Sequence, residues 1–297
     1  MDALKRKYNS ARALLRSRGA AGLVSAISYQ PGVRQLLALK VPRLLRPSFW
    51  RHWDNPVLGR WVELRGNRAR IDGCTFTLDS PAIPTGLKAL FLFDRYERAE
   101  RDALRRFLDP DVPVVELGGS LGVVACLTNR RLRDPSRHVV VEANAQVLGV
   151  LEENRARNGC GFIVMHRALA YGAPTVAFHQ DDDFLAGTVL EGRMGYEGRP
   201  RRAVQVPTVR LRDILDAHGF ARCTLVCDIE GAEVDLVAHE LDVLRERVGT
   251  IIVETHPGAV GEATVRAMLD QLAGAGFRRL AVDAQTVVLQ HASASAA

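Results

Sequence analysis

The chain has 297 residues, of which 47% are hydrophobic and 25% are charged. This composition is near the average for globular proteins, so a core can form without disulfides or structural metals. The five cysteines are irregularly spaced, and the closest pair, Cys223 and Cys227, is not a C-x2-C motif. We therefore expect reduced thiols and a reducing compartment. Secreted and transmembrane classes are excluded, because charges interrupt the first 18 residues and no apolar run approaches the roughly 18 residues of a membrane span. A cytoplasmic location is expected.

The net charge of +6 is unevenly distributed along the chain. Residues 1–51 hold eleven Lys and Arg residues and one acid, a charge of +10, while the remainder carries −4. A basic segment of this kind favours anionic partners such as lipid head groups or nucleic acid. The apolar stripe of its first helix is weak, which favours packing on the main body over membrane association. Peripheral membrane contact through residues 1–60 remains the alternative.

In chain order, residues 1–60 are predicted to be a basic helical segment with breaks at prolines. Residues 61–110 are predicted to be a small β/α cap, with strands over 61–65 and 74–78 and a helix over 94–108. Residues 111–290 are predicted to be the main domain, and 291–297 a disordered tail.

The main domain alternates short apolar runs with helical stretches, which is typical of βαβ units and a parallel sheet. Strands are predicted over residues 112–117, 138–142, 162–166, 224–229 and 250–254. A helix over 145–157 has Asn144 as its candidate N-cap. Two runs at 279–283 and 286–290 predict a final hairpin that adds an antiparallel strand.

A glycine-rich turn follows the first strand of this domain, with the sequence Glu116-Leu117-Gly118-Gly119-Ser120-Leu121-Gly122. Such turns bring the backbone close to a ligand at the carboxyl end of a strand. The spacing is not the G-x-G-x-x-G of dinucleotide-binding proteins, which disfavours a nicotinamide dehydrogenase. Glu116 would repel a pyrophosphate but would attract a cation.

Acidic residues end the later strands. Glu142 follows the second strand, where an acid can bind both ribose hydroxyls of an adenosine ligand. Asp228 and Glu230 follow the fourth strand, and Glu233 is interpreted as a first-turn helix acid. Glu254 and His256 follow the fifth strand and can reach the same crevice.

These motifs, in the order EL-GGSLG, the acid after strand two, CDIEGAE and VETH, resemble the FkbM family of S-adenosylmethionine-dependent methyltransferases over roughly residues 95–290. Tyr96-Glu97 also fits the family pattern. The sequence departs from it at Glu116, where Asp is commoner, and at Cys227, where Lys is frequent.

The resemblance implies a class I methyltransferase-like fold: a doubly wound, mostly parallel seven-stranded sheet with an N-terminal helical/β extension. It implies O-methylation of a sugar, glycan or natural-product hydroxyl, with S-adenosyl-L-methionine as cofactor. The cofactor-binding residues would be Glu116, Gly118, Gly119, Ser120, Gly122, Glu142, Ala143, Asn144 and Asp228.

Removal of the hydroxyl proton needs a base, and the candidates are Asp228, Glu230 and His256. His256 has the most suitable ordinary pKa, near 6.5. A divalent metal held by Asp228 with Glu254 or His256 is a less favoured alternative. The acceptor loop is placed at residues 179–202. The competing function is a nucleic-acid- or membrane-surface-binding protein with a methyltransferase-like body of little activity, although the basic segment lacks the aromatics expected for base stacking.

Overall fold

The structure is a computed structural model that describes residues 55–180, 187–190 and 202–293. The basic segment up to residue 54, the acceptor-loop residues Asp181–Asp183, Phe184, Met194 and Tyr196, and the last four residues of the predicted tail lie outside these ranges. Among the described residues, no helix has the length and apolar character needed to cross a bilayer.

A seven-stranded sheet forms the centre of the main domain, in the order β12-β13-β11-β10-β3-β4-β5. All neighbours pair in parallel except β13, which pairs antiparallel with both β11 and β12. The strands are β3 (Val114–Leu117), β4 (His138–Glu142), β5 (Ile163–His166), β10 (Cys223–Cys227), β11 (Val248–Glu254), β12 (Phe277–Asp283) and β13 (Thr286–His291). The predicted mostly parallel seven-stranded sheet is confirmed, and His291, assigned to the tail, belongs to β13.

Helices cover both faces of this sheet, because alternate residues of each buried strand point to opposite sides. Val114 packs with one set of helices and Val115 with another. The helices of the main domain are α3 (Arg98–Phe107), α4 (Val123–Asn129), α5 (Ala145–Arg157), α6 (Leu211–Ala217), α7 (Glu233–Arg247), α8 (Pro257–Val260) and α9 (Glu262–Gly274). Asn144 caps α5 as predicted, accepting the N–H of Gln146.

A second, four-stranded sheet lies in the order β6-β9-β7-β8. Its strands are β6 (Ala168–Leu169), β7 (Thr175–Gln180), β8 (Gly187–Thr188) and β9 (Arg202–Val209). The sheet follows β5 in the chain and brings Phe178 and Gly187 to the edge of the main sheet, where they line the cavity described below.

The N-terminal part of the described chain comprises α1 (Pro56–Leu64), the hairpin β1 (Arg68–Ile71) and β2 (Cys74–Thr77), and α2 (Ala89–Leu92). The strand predicted over residues 61–65 is wrong, because those residues largely belong to α1. Asn55 accepts the N–H of Leu58, and Pro56 occupies the first turn. This Asn-Pro start signal outweighs the β propensity of Trp61 and Val62.

Candidate functional site

A cavity lies at the carboxyl ends of β3, β4 and β10. The chain runs from β3 to β4 on one side, whereas β10 pairs with β3 on the other, so the strand order reverses at this point. Open α/β sheets bind their ligands at such a reversal. The lining residues include Tyr96, Glu97, Gly118, Ser120, Glu142, Ala143, Arg167, Leu169, Phe178, Val189, Asp228 and Glu230.

The glycine turn brings the tips of β3 and β10 into contact. Gly118 has a φ of +94°, and a Cβ at this position would lie 1.8 Å from the carbonyl oxygen of Asp228. Gly119 and Gly122 instead let the turn pack closely against α5, because a side chain at either position would contact Leu151. Of the predicted turn residues, Gly118 and Ser120 line the cavity, and the other two glycines allow the turn to approach α5.

The carboxylate of Glu142 joins the turn to the tip of β4. It accepts the backbone N–H of Ser120 and that of Asn144, each at 2.6 Å. Burial raises the pKa of Glu142, and these two backbone donors oppose that rise. Ala143 lines the cavity beside it, whereas Asn144 is buried as the cap of α5.

Glu116 lies apart from the cavity lining. Its side chain is 1% exposed, and Oε2 lies 3.5 Å from Nε2 of the buried His138. Strand alternation places Glu116 on the same face as Val114, beneath helices, and burial raises its pKa well above the ordinary range. The structure therefore places Glu116, a predicted cofactor ligand, outside the residues that line the cavity.

The structure brings the three candidate bases together. Nε2 of His256 lies 3.3 Å from Oδ1 of Asp228 and 3.9 Å from Oε2 of Glu230, while Nδ1 lies 3.2 Å from Oε1 of Glu233. Glu233 is 3% exposed and also accepts the N–H of Ile229 at 2.8 Å. Both ring nitrogens of His256 therefore face carboxylates.

This pairing changes the acid–base character of His256. Burial alone would lower its pKa, but the carboxylates of Asp228 and Glu233, which favour the charged ring, outweigh it and raise the pKa to about 11. The ring is then an imidazolium near neutral pH. The environment thus moves the pKa of His256 away from its ordinary value near 6.5, which favours Asp228 and Glu230 on the cavity wall over His256 as the base.

Glu254 lies next to the same cluster. Burial, the charges of Asp228 and Glu100, and a hydrogen bond with the side chain of Glu100 raise its pKa to about 9. One ligand atom each from Asp228, Glu254 and His256 lie within 4.8 Å of one another. The geometry of the predicted metal set is therefore present, with the His256 ring held between acids.

The cavity lining also contains residues that sequence reasoning did not assign to the site, among them Glu97, Arg167 and Phe178. Glu97 could have been found, because Tyr96-Glu97 belongs to the motif set that carries the family resemblance. Burial raises its pKa, and so do the charges of Glu100 and Asp228. Phe178 comes from β7 of the second sheet, next to the predicted acceptor loop, and Val189 lies within that loop.

Strained backbone borders the cavity. Glu97, Ser120 and Glu230 have φ values of 46°, 44° and 56°, in the left-handed region that disfavours side chains. Such strain is concentrated at functional sites, where surrounding contacts hold it in place. Four acidic side chains lie on the wall, Glu97, Glu142, Asp228 and Glu230, against one cation, Arg167, among the described lining residues. This balance suits the cavity to a cationic ligand.

No protein-family model and no curated protein sequence matches this chain. Similar solved structures include a protein of the NADB-Rossmann superfamily from Streptococcus agalactiae (13% identity, 65% of this chain and 67% of that chain, TM-score 0.38). They also include precorrin-6y C5,15-methyltransferase from Geobacter metallireducens (13%, 64% and 83%, TM-score 0.37). A third is the O-methyltransferase TomG from Streptomyces achromogenes, involved in tomaymycin synthesis and solved in complex with SAM (16%, 66% and 79%, TM-score 0.38). These TM-scores are low, so the fold class rests on the strand order described above.

Proposed function

We propose that this chain is an S-adenosylmethionine-dependent O-methyltransferase of the FkbM kind, acting on a hydroxyl of a sugar, glycan or natural product. One observation carries the proposal. An acidic cavity lies where the strand order reverses, and Glu142, with both carboxylate oxygens fixed by backbone donors, forms part of its wall.

The lining residues fit a cationic nucleoside. Glu142 is placed to accept hydrogen bonds from ribose hydroxyls, which is the role of the acid at this strand tip in nucleoside-binding α/β proteins. Gly118 lines the cavity, and its lack of a side chain lets the tip of β3 meet the backbone of Asp228 there. The carboxylate of Asp228 on the wall favours a ligand that carries an ammonium and a sulfonium. Such a ligand would in turn favour the charged form of Glu97, whose pKa is raised by burial. Leu169, Phe178 and Val189 form an apolar section suited to a base.

S-adenosylmethionine, when bound, supplies a methyl group on a positively charged sulfur. The chain must position the acceptor hydroxyl and remove its proton. Asp228 and Glu230 line the cavity with side chains that are each 33% exposed, so either carboxylate can accept that proton. A positioned base contributes about 10²–10⁴ in rate. His256 would hold Asp228 in place as an imidazolium.

An oxygen acceptor is supported by the tip of β10. This position carries Asp228-Ile229-Glu230, whereas methylases acting on base nitrogens usually carry an Asn/Asp-Pro-Pro-aromatic string. The hydroxyl to be methylated is weakly acidic, and two carboxylates beside the cavity match that need.

The test is calorimetric titration with S-adenosylmethionine, its demethylated product and NADH. We expect binding of the first two and none of NADH. Mass spectrometry of glycan and natural-product panels incubated with chain and donor would then reveal acceptors through a methyl-group gain. Binding of NADH, or no uptake of the methyl donor, would refute the proposal.

Turnover of variants separates the roles within the cluster. Asp228→Asn and Glu230→Gln should each lower turnover more than they lower donor affinity, if the residue accepts the proton. Full turnover in both variants would exclude them as bases.

A further inference from the structure

Helix α1 turns an apolar face outwards. Val57, Trp61 and Leu64 are 46%, 43% and 80% exposed, and their spacing of four and three residues puts them on one side of the helix. Within the described ranges, five large hydrophobic side chains are exposed, and these are three of them. We refer to Val57, Trp61 and Leu64 as the α1 apolar face.

Packing of the opposite side fixes this orientation. Gly59 and Val62 are buried, and a Cβ on Gly59 would lie 1.5 Å from the carbonyl oxygen of Thr85. The backbone N–H of Asn55, at the start of the helix, donates to the carbonyl of Gly86. The helix cannot rotate to bury the α1 apolar face without losing this close contact.

Arg65 contacts the α1 apolar face, and two further arginines follow it closely in the chain. The guanidinium of Arg65 lies 4.0 Å from the ring centre of Trp61. Arg68 and Arg70, on the adjoining strand β1, are exposed and form no ion pair with any residue in the described part of the chain. Cationic side chains next to exposed apolar ones are typical of helices that lie in a membrane interface.

The single acid of α1 is directed away from this surface. Oε1 of Glu63 accepts hydrogen bonds from Thr85 and Lys88, and its side chain is 18% exposed. Arg60 reaches the other oxygen of Glu63 at 2.8 Å and is itself 74% exposed. The outward side of α1 therefore carries positive and apolar character without an exposed carboxylate of its own.

The positive charge beside the α1 apolar face indicates which kind of partner can bind there. Residues 1–51, which lead into α1, carry +10, so this segment would repel the arginines, and so would the same surface on a second copy. Single-stranded nucleic acid is usually bound by several stacking aromatics, and Trp61 is the one aromatic on the face; an exposed apolar face offers no contact to the phosphates of a duplex. An anionic bilayer offers both acyl chains for the apolar residues and head groups for the arginines.

We propose that the α1 apolar face, with Arg65, Arg68 and Arg70, is a docking surface for a bilayer rich in anionic lipids. Leu64 and Trp61 enter the interface, and the arginines contact lipid phosphates and carboxylates. The basic segment that precedes α1 adds attraction of the same sign. This proposal does not depend on the methyl-transfer proposal.

The test is co-sedimentation of the full chain with phosphatidylcholine vesicles and with vesicles containing phosphatidylserine, at low and high salt. We expect binding to the anionic vesicles alone, weakened by salt. The double variant Trp61→Ser/Leu64→Ser should bind about tenfold more weakly or worse. Arg68→Gln and Arg70→Gln should each cost about fivefold. Val282→Ser, which removes another exposed apolar side chain on β12, is the matched control and should bind like the wild type.

A second measurement reports on α1 directly. In a chain carrying Trp50→Phe and Trp53→Phe, the fluorescence of Trp61 should shift to the blue when anionic vesicles are added. Thermal unfolding would confirm that each variant folds. Wild-type-like sedimentation of the Trp61→Ser/Leu64→Ser variant, an unchanged Trp61 spectrum, or stronger retention on RNA than on anionic vesicles would each overturn the proposal.

Discussion

The carboxylate of Glu142 accepts the backbone N–H of Ser120 at 2.6 Å, although the two residues end different strands. Ser120 holds a φ of 44° in this arrangement. A charged acceptor of this kind stabilises a strained turn more than a neutral one. The conformation of the glycine turn therefore depends on Glu142, the acid that would bind the ligand.

The first prediction concerns Glu142. Glu142→Gln should lower the affinity for S-adenosylmethionine about tenfold or more, because charged hydrogen bonds contribute on the order of 1.5–3 kcal/mol. Glu142→Ala should lower it further and also lower the melting temperature, since the N–H groups of Ser120 and Asn144 lose their acceptor. Calorimetry and thermal unfolding measure the two effects. Glu152→Gln, on the exposed side of α5, is the control. Unchanged affinity in Glu142→Gln would remove it from the site.

The second prediction separates Glu116 from Glu142. Glu116 lies outside the cavity lining, so Glu116→Gln should leave the affinity for S-adenosylmethionine unchanged. Because burial raises the pKa of Glu116, the folded state loses stability as pH rises from the ordinary value of that carboxyl through the raised one. The variant should therefore gain stability relative to the wild type at about pH 8 but not at about pH 4. A loss of donor affinity in Glu116→Gln would restore it as a ligand.

Much of the fold follows from local sequence signals. The predicted strand over 138–142 matches β4, and the hairpin near the C-terminus is present, because apolar runs bounded by turns are strong signals in a sheet buried on both faces. Only the second half of α1 is wrongly predicted as a strand, since the apolar, β-prone pair Trp61-Val62 outweighs the start signal at Asn55-Pro56 in the sequence.

The site was predictable only in part, for a geometric reason. Strand-tip residues such as Glu142 and Asp228 converge because parallel strands end at one edge, which follows from the strand pattern alone. Whether a side chain near the strand tip reaches the cavity does not follow from the strand pattern. Glu116, two residues before Gly118, is buried on the face of the sheet that carries Val114. Phe178 and His256 depend on how distant elements meet, and the pKa of His256 depends on Glu233, a residue interpreted as a helix acid only.

Glu63 gives a prediction of acid sensitivity. Hydrogen bonds from Thr85 and Lys88 lower its pKa from 4.5 to about 2. A lowered carboxyl pKa stabilises the folded state above pH 4.5 and loses that effect as pH falls towards 2. Glu63→Gln should therefore cost up to about 3 kcal/mol near neutral pH and little in acid. Urea unfolding at both conditions measures this, with Glu152→Gln as the exposed-surface control. Equal costs at both conditions would contradict the assignment.

The fourth prediction is that His256 is charged. With its pKa raised to about 11, nitrogen NMR should show both ring nitrogens protonated near neutral pH, and the charge should be lost only as pH rises towards that value. Asp228→Asn and Glu233→Gln should each lower the pKa, because each removes a negative charge beside the ring. A wild-type ring that titrates near its ordinary value would return His256 to the candidate bases.

The last prediction concerns metal removal and depends on the charge of His256. A metal ligand must be neutral imidazole, but Nε2 of His256 lies 3.3 Å from a carboxylate oxygen of Asp228 and Nδ1 lies 3.2 Å from one of Glu233, and both carboxylates favour the charged ring. We therefore expect methyl transfer to continue at its full rate after dialysis against a chelator and to show no gain from added magnesium or manganese. The control is the same dialysis of Glu254→Gln, which lacks one of the three grouped ligands. Two results together would instead establish Asp228, Glu254 and His256 as a metal centre. Turnover of the wild type would be lost on treatment with a chelator, and the His256 ring would be neutral when magnesium is added.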